Sequence, residues 1–281
     1  MSYPFVREKE KTLNRYNYFV TYIMTIQLRI LQESLPYPLE SNLKELRLPS
    51  MLRNYEKILS QNQGPDEYLL ELTMLELEER TTRKQINRIR EAKFPIVKTF
   101  DNFDFSAIDP EASRQIKGLM SGDYINAGLN VIFIGGSGTG KTHVATSLAY
   151  EACKAGKKVR FITICSLANK LIEAGEGSGL ERVMEKFARY ELLIIDEVGY
   201  TPLSKQGAEL LFQLFSGRHE KASMIFTTNL PFQEWTQVFG EANLTVALLD
   251  RVTHKAPVIK MIGESYRFKE SLKKHKTIAK G

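Results

Sequence analysis

The chain has 281 residues, 43% of them hydrophobic and 26% charged, which suits one or two globular domains with a real core. Its net charge of +6 favours a polyanionic partner. Cys153 and Cys165 form no CxxC pair and have no suitable histidine cluster nearby, so no metal site is suggested and both read as buried thiols of a reducing cytoplasm.

In chain order, residues 1–38 differ from the rest, with many Tyr, Lys and Arg, an apolar run and an end at Pro36-Tyr37-Pro38. The run at 18–31 is only 14 residues long and carries Arg29, so it is too short and too charged to span a bilayer. Residues 39–63 place Leu43, Leu46, Leu48, Met51, Leu52, Tyr55, Ile58 and Leu59 at helical spacing, with Ser41 as a cap and a break or kink at Pro49. Gly64-Pro65-Asp66 punctuates, and 67–93 reads as one long helix capped by Asp66. That helix is acidic first (Glu71, Glu76, Glu78, Glu79) and basic last (Arg80, Arg83, Lys84, Arg88, Arg90, Lys93), an order that complements the helix dipole. Six cations within 14 residues exceed what a dipole needs, which makes this segment a candidate nucleic-acid contact. Pro95 ends it, 96–106 is an extended aromatic lead-in, and helices follow near 109–121 and 122–128.

From Asn130 strands and helices alternate: 130–134, 142–154, 158–163, 166–174, 179–189, 191–195, 204–219, 222–227, 231–238, 244–253 and 257–261. Such alternation predicts an α/β fold, a parallel sheet covered on both faces. The expected organisation is an N-terminal extension (1–38), a small all-helical domain (39–94), the α/β core (95–268) and a basic tail (269–281).

Residues 135–142 read GGSGTGKT between an apolar strand and a helix start, the context a phosphate-binding loop requires. Gly135, Gly136, Ser137, Gly138, Thr139 and Gly140 let backbone N–H groups face phosphate oxygens. Lys141 reaches the β- and γ-phosphates, and Thr142 offers a hydroxyl to Mg2+. Leu192 to Ile195 form a buried strand ending in Asp196, suited to Mg2+, and Glu197, suited to polarising an attacking water. The strand 224–228 leads to Asn229, placed to hold that water near the γ-phosphate. Hydrolysis also needs positive charge on the γ-phosphate, and Arg251 is the candidate finger, acting on a neighbouring subunit, with Arg218 and Arg267 as competitors.

Loop, Asp-Glu strand, Asn strand and Arg helix in this order resemble an AAA+ ATPase core. ACKAGKKVRFIT (152–163), the segment 192–235, LLDRVTHKAPVIKMIGESYR (248–267) and LKELRLPSMLRNYE (43–56) resemble the IstB-type helper ATPases of bacterial insertion sequences, a family close to the DnaC-type helicase loaders. The resemblance implies a cytoplasmic, ATP-dependent homo-oligomer that binds double-stranded DNA, hydrolyses ATP and recruits a DDE transposase. The alternatives are a loader of a replicative helicase acting on single strands and a metabolic P-loop kinase, against which the Asn strand and the trans-type arginine argue. Only 14 residues follow Arg267, too few for a helical lid domain, so a core without a full lid is expected. DNA candidates are Arg83, Lys84, Arg88 and Arg90 in the long helix and Lys154, Lys157, Lys158, Lys170 and Arg182 in the core.

Overall fold

The computed structural model describes residues 39–61, 64–263 and 265; the expected N-terminal extension, the basic tail and Arg267 lie outside them. These residues form two compact units, the first ending at Thr82 and the second beginning at Arg83.

The first unit is helical: α1 (Leu39–Glu45), α2 (Pro49–Leu59) and most of α3 (Pro65–Ala92). The break expected at Pro49 is present: α1 ends at Glu45 and α2 begins with Pro49, at a first-turn position that needs no N–H. Ser41 lies inside α1 and is not its cap, and Asp66 lies in the first turn of α3, where its charge meets the helix dipole. No side chain of the Leu48 N-cap serves α2. Glu76, buried on α3, takes that role by accepting from Ser50 N at 3.0 Å and Met51 N at 3.4 Å. Arg80 Nε donates to the same carboxylate at 2.8 Å. Burial alone would raise the Glu76 pKa, but Arg80 and the two N–H groups outweigh it and hold the carboxyl below the usual range.

The second unit contains a five-stranded parallel sheet: β1 (Val131–Ile134), β2 (Val159–Thr163), β3 (Leu192–Val198), β4 (Ser223–Thr228) and β5 (Val258–Lys260), in the order β2-β3-β4-β1-β5. The helices between are α4 (Pro110–Leu119), α5 (Asp123–Asn126), α6 (Lys141–Lys154), α7 (Ile164–Gly175), α8 (Leu180–Ala188), α9 (Lys205–Arg218), α10 (Thr236–Phe239) and α11 (Ala242–Thr253). Alternate strand residues feed two cores. Leu193, Ile195, Met224 and Phe226 pack with α7 to α11, whereas Leu192, Ile194, Val131 and Phe133 pack with α4 to α6. This is why the strands read as continuous apolar runs.

The helix expected at 231–238 is a 3-10 turn, Phe232–Glu234, followed by the short α10. The lead-in at 96–106 is not wholly extended; it contains 3-10 turns at Phe100–Asn102 and Phe105–Ala107, the second capped by Asp104. Cys153 is buried, and burial pushes its thiol up to about 12, but Cys165 is only half-buried. Among the described residues no helix follows β5, and no helix is long and apolar enough to cross a membrane.

Candidate nucleotide site

The buried strand β1 delivers the chain into the glycine-rich loop at its carboxyl end, and α6 leaves from the loop's far side. A Cβ on Gly135 would lie 2.2 Å from the Met261 carbonyl oxygen, and only glycine tolerates that approach. Gly138 has φ +80°, a left-handed conformation that favours glycine. Thr139 Oγ1 donates to Gly136 O at 2.9 Å and ties the loop across itself. Gly136 and Ser137 are exposed. The Lys141 ammonium donates to Gly135 O and Gly136 O, each at 2.7 Å, so the lysine lies folded along the loop. The first N–H groups of α6 have no acceptors inside the helix, which gives this end its affinity for anions.

The acids arrive from β3, two strands away from β1 with β4 between them. Thr142 Oγ1 nevertheless donates to Asp196 Oδ1 at 3.0 Å, so the loop and the acid strand meet across the end of β4. Asp196 is 5% exposed and Glu197 is exposed. The pairing Ile195 with Phe226 and Val198 with Thr228 skips a residue, so Asp196 and Glu197 together oppose Thr227 in a β-bulge. Glu197 adopts φ 62°, a left-handed conformation that a non-glycine residue holds only under strain. The glycine-rich loop, its backbone donors and the adjacent Lys141 ammonium fit a triphosphate, and the Thr142–Asp196 pair fits Mg2+, which is usually held by one or two protein groups plus phosphate oxygens.

Thr227 is the site residue the sequence reading missed. It donates to Asp196 and accepts from Glu197 N at 3.2 Å. A polar residue at the end of an otherwise apolar run, two before Asn229, was the available signal. Asn229 follows β4 directly and is exposed, with its Oδ1 2.9 Å from a Cβ built on Gly199. The lead-in also reaches the loop. The Phe103 ring lies 3.1 Å from a Cβ built on Gly140 and packs edge-on against His143, whose Nε2 is 3.0 Å from Thr99 O. Burial pushes the His143 pKa down.

Among the arginines, Arg251 on α11 donates to Ala247 O at 2.8 Å and lies 4.7 Å over the Phe212 ring. Arg218 is 1% exposed and donates to Phe187 O at 2.7 Å and Ser223 O at 3.0 Å. Burial pushes its pKa down to about 10. A guanidinium so enclosed serves its own chain and does not reach a neighbour, which removes it as a finger candidate.

The cations expected at DNA differ in their surroundings. Lys154 pairs with Glu151 at 2.9 Å and Lys157 with Glu191 at 2.9 Å. Arg88 is half-buried, with its guanidinium 3.6 Å from a Cβ built on Gly156. Arg83, Lys84, Arg90, Lys158, Lys170 and Arg182 are exposed.

A family model for IstB-like ATP binding proteins matches residues 41–274. The chain is similar to the IS21 insertion-sequence protein of Pseudomonas aeruginosa, at 35% identity over 244 residues, covering 84% of this chain and 91% of that one. It is 37% identical over 229 residues to the IS5376 insertion-sequence protein of Geobacillus stearothermophilus, covering 80% of this chain and 91% of that one. Among solved structures, the replication initiator DnaA bound to AMPPCP and single-stranded DNA aligns with a TM-score of 0.50 at 20% identity, covering 63% of this chain and 54% of that one. At that identity the likeness is one of fold, the AAA+ arrangement of a parallel sheet flanked by helices.

Proposed function

The chain belongs to the IstB-like ATP-binding protein family, and from that premise we propose that it is the ATP-hydrolysing helper of a DDE transposase. In this reading it assembles as a homo-oligomer on double-stranded target DNA in the cytoplasm and recruits the transposase there. The helical domain (39–94) serves as an accessory to the ATPase core (95–268). The observation that carries the reading is the 3.0 Å hydrogen bond from Thr142 to Asp196, which joins a phosphate loop to a strand ending in Asp-Glu.

The roles follow from the chemistry of each group. Lys141 exchanges the Gly135 and Gly136 carbonyls for phosphate oxygens of ATP. Thr142 and Asp196 are the residues that would hold Mg2+, and the ion would supply positive charge to the phosphates. Glu197 orients and polarises the attacking water, Asn229 holds that water in place, and Arg251 of a neighbouring copy neutralises charge building on the γ-phosphate. ATP and water leave as ADP and phosphate. The exposed cations Lys84, Arg90, Lys158, Lys170 and Arg182 are the first DNA contacts to substitute.

ATP turnover and particle mass, measured with duplex DNA, with single strands and without DNA, test this reading. Duplex-stimulated turnover with ATP-dependent assembly is expected, and duplex affinity falls steeply with salt. Stimulation by single strands alone would replace the helper with a helicase loader, and indifference to all DNA would remove both.

A further inference from the structure

We propose that Thr227 is a positioning residue that sets Glu197 for catalysis, through hydrogen bonds linking the Glu197 backbone, the Thr227 hydroxyl and the Asp196 carboxylate. The proposal rests on the reading of Glu197 as the residue that polarises the attacking water.

Thr227 is 2% exposed and lies near the end of β4, a fully buried strand. Buried, β-branched positions of this kind are filled equally well by valine, so packing alone does not call for a hydroxyl. Here the hydroxyl is used in both directions. It accepts from Glu197 N at 3.2 Å and donates to Asp196 Oδ1, the same oxygen that receives Thr142 Oγ1 at 3.0 Å. One continuous path therefore runs from the Glu197 backbone through β4 and Asp196 to the first turn of α6.

The bulge explains why the path matters. Asp196 and Glu197 together face a single β4 residue, Thr227, so the regular ladder is interrupted where the two acids diverge. Glu197 holds φ 62° at this point, a conformation that persists only when its surroundings enforce it. The Thr227 hydroxyl is the acceptor for the Glu197 amide at that strained residue. Removing it frees the amide and lets Glu197 relax away from the orientation that serves the water. A displacement of about 1 Å at a reacting group costs as much as about 100-fold in rate.

The variants are Thr227→Val, which keeps the shape, and Thr227→Ser, which keeps the hydroxyl. The measurements are kcat and KM for Mg-ATP with duplex DNA, and affinity for a fluorescent ATP analogue. Thr227→Val is expected to lower kcat by about 10- to 100-fold with analogue affinity within about 3-fold of wild type. Thr227→Ser is expected to recover most of the loss. Should Thr227→Val not fold, the Thr227→Ser and Thr227→Ala pair carries the comparison, and equal kcat in the two would overturn the proposal. Wild-type kcat in Thr227→Val, or a loss confined to KM, would also overturn it. Glu197→Gln, run alongside, separates the two readings. If Glu197→Gln turns over ATP at the wild-type rate, the role of Glu197 is wrong; if it is dead while Thr227→Val is fully active, only the role of Thr227 is.

Discussion

At Gly135 a single missing methyl group decides whether the loop closes. A Cβ there would meet the Met261 carbonyl oxygen at 2.2 Å, so either the loop or the exit from β5 must move by about 1 Å. At Gly136, one residue on, the nearest atom to a Cβ is Thr139 Cγ2 at 3.9 Å, an ordinary contact. The two positions are therefore predicted to separate although both belong to the same motif. Gly135→Ala weakens binding of a fluorescent ATP analogue by about 10-fold or more, while Gly136→Ala stays within about 3-fold. Equal losses at the two positions would show that the glycines act through flexibility and not through this close approach. The motif letters made the loop legible from sequence because every part of it is local. Thr227 was not legible for the opposite reason. Its role depends on a bulge between strands 30 residues apart, and the spacing of the Asp-Glu pair alone does not reveal that the two acids share one partner.

The element scale shows the same division. The strand and helix pattern from Asn130 onward was readable because buried parallel strands are continuously apolar and their helices are capped by nearby residues such as Thr163 and Ser204. The start of α2 was not, because its cap comes from another helix. Glu76 on α3 supplies the acceptor that Leu48 lacks, a contact between residues 26 apart. A pH dependence follows. The folded carboxyl sits below its usual range, so the unfolded chain takes up the proton first as pH falls. The stabilisation is thus fully present above the ordinary carboxylate range and is lost as pH drops through the folded value. Glu76→Gln is expected to cost about 1–2 kcal/mol at neutral pH and to flatten the part of the acid loss that this group causes. Thermal melts of both proteins from about pH 7 to about pH 3 check this, and parallel curves would show that Glu76 does not contribute.

At the scale of the whole molecule, the division of cations bears on where hydrolysis is completed. Arg218 is spent inside the fold, holding the Phe187 and Ser223 carbonyls, whereas Arg251 is anchored more lightly, by one carbonyl and the face of Phe212. If Arg251 serves the neighbouring copy, each working site needs a loop from one subunit and an arginine from the next, and the interface is head-to-tail. This predicts complementation between two inactive proteins. Lys141→Ala keeps its arginine but loses its loop; Arg251→Ala keeps its loop but loses its arginine. Mixed in equal amounts, about one interface in four joins an intact arginine to an intact loop, so about a quarter of wild-type turnover returns. An arginine acting within its own subunit gives no recovery at any ratio, because neither protein then holds a complete site. Turnover measured across a series of mixing ratios, after incubation long enough for subunits to exchange, distinguishes the two: a maximum near equal amounts places Arg251 in the neighbour's site, and a flat line at the background rate places it in its own.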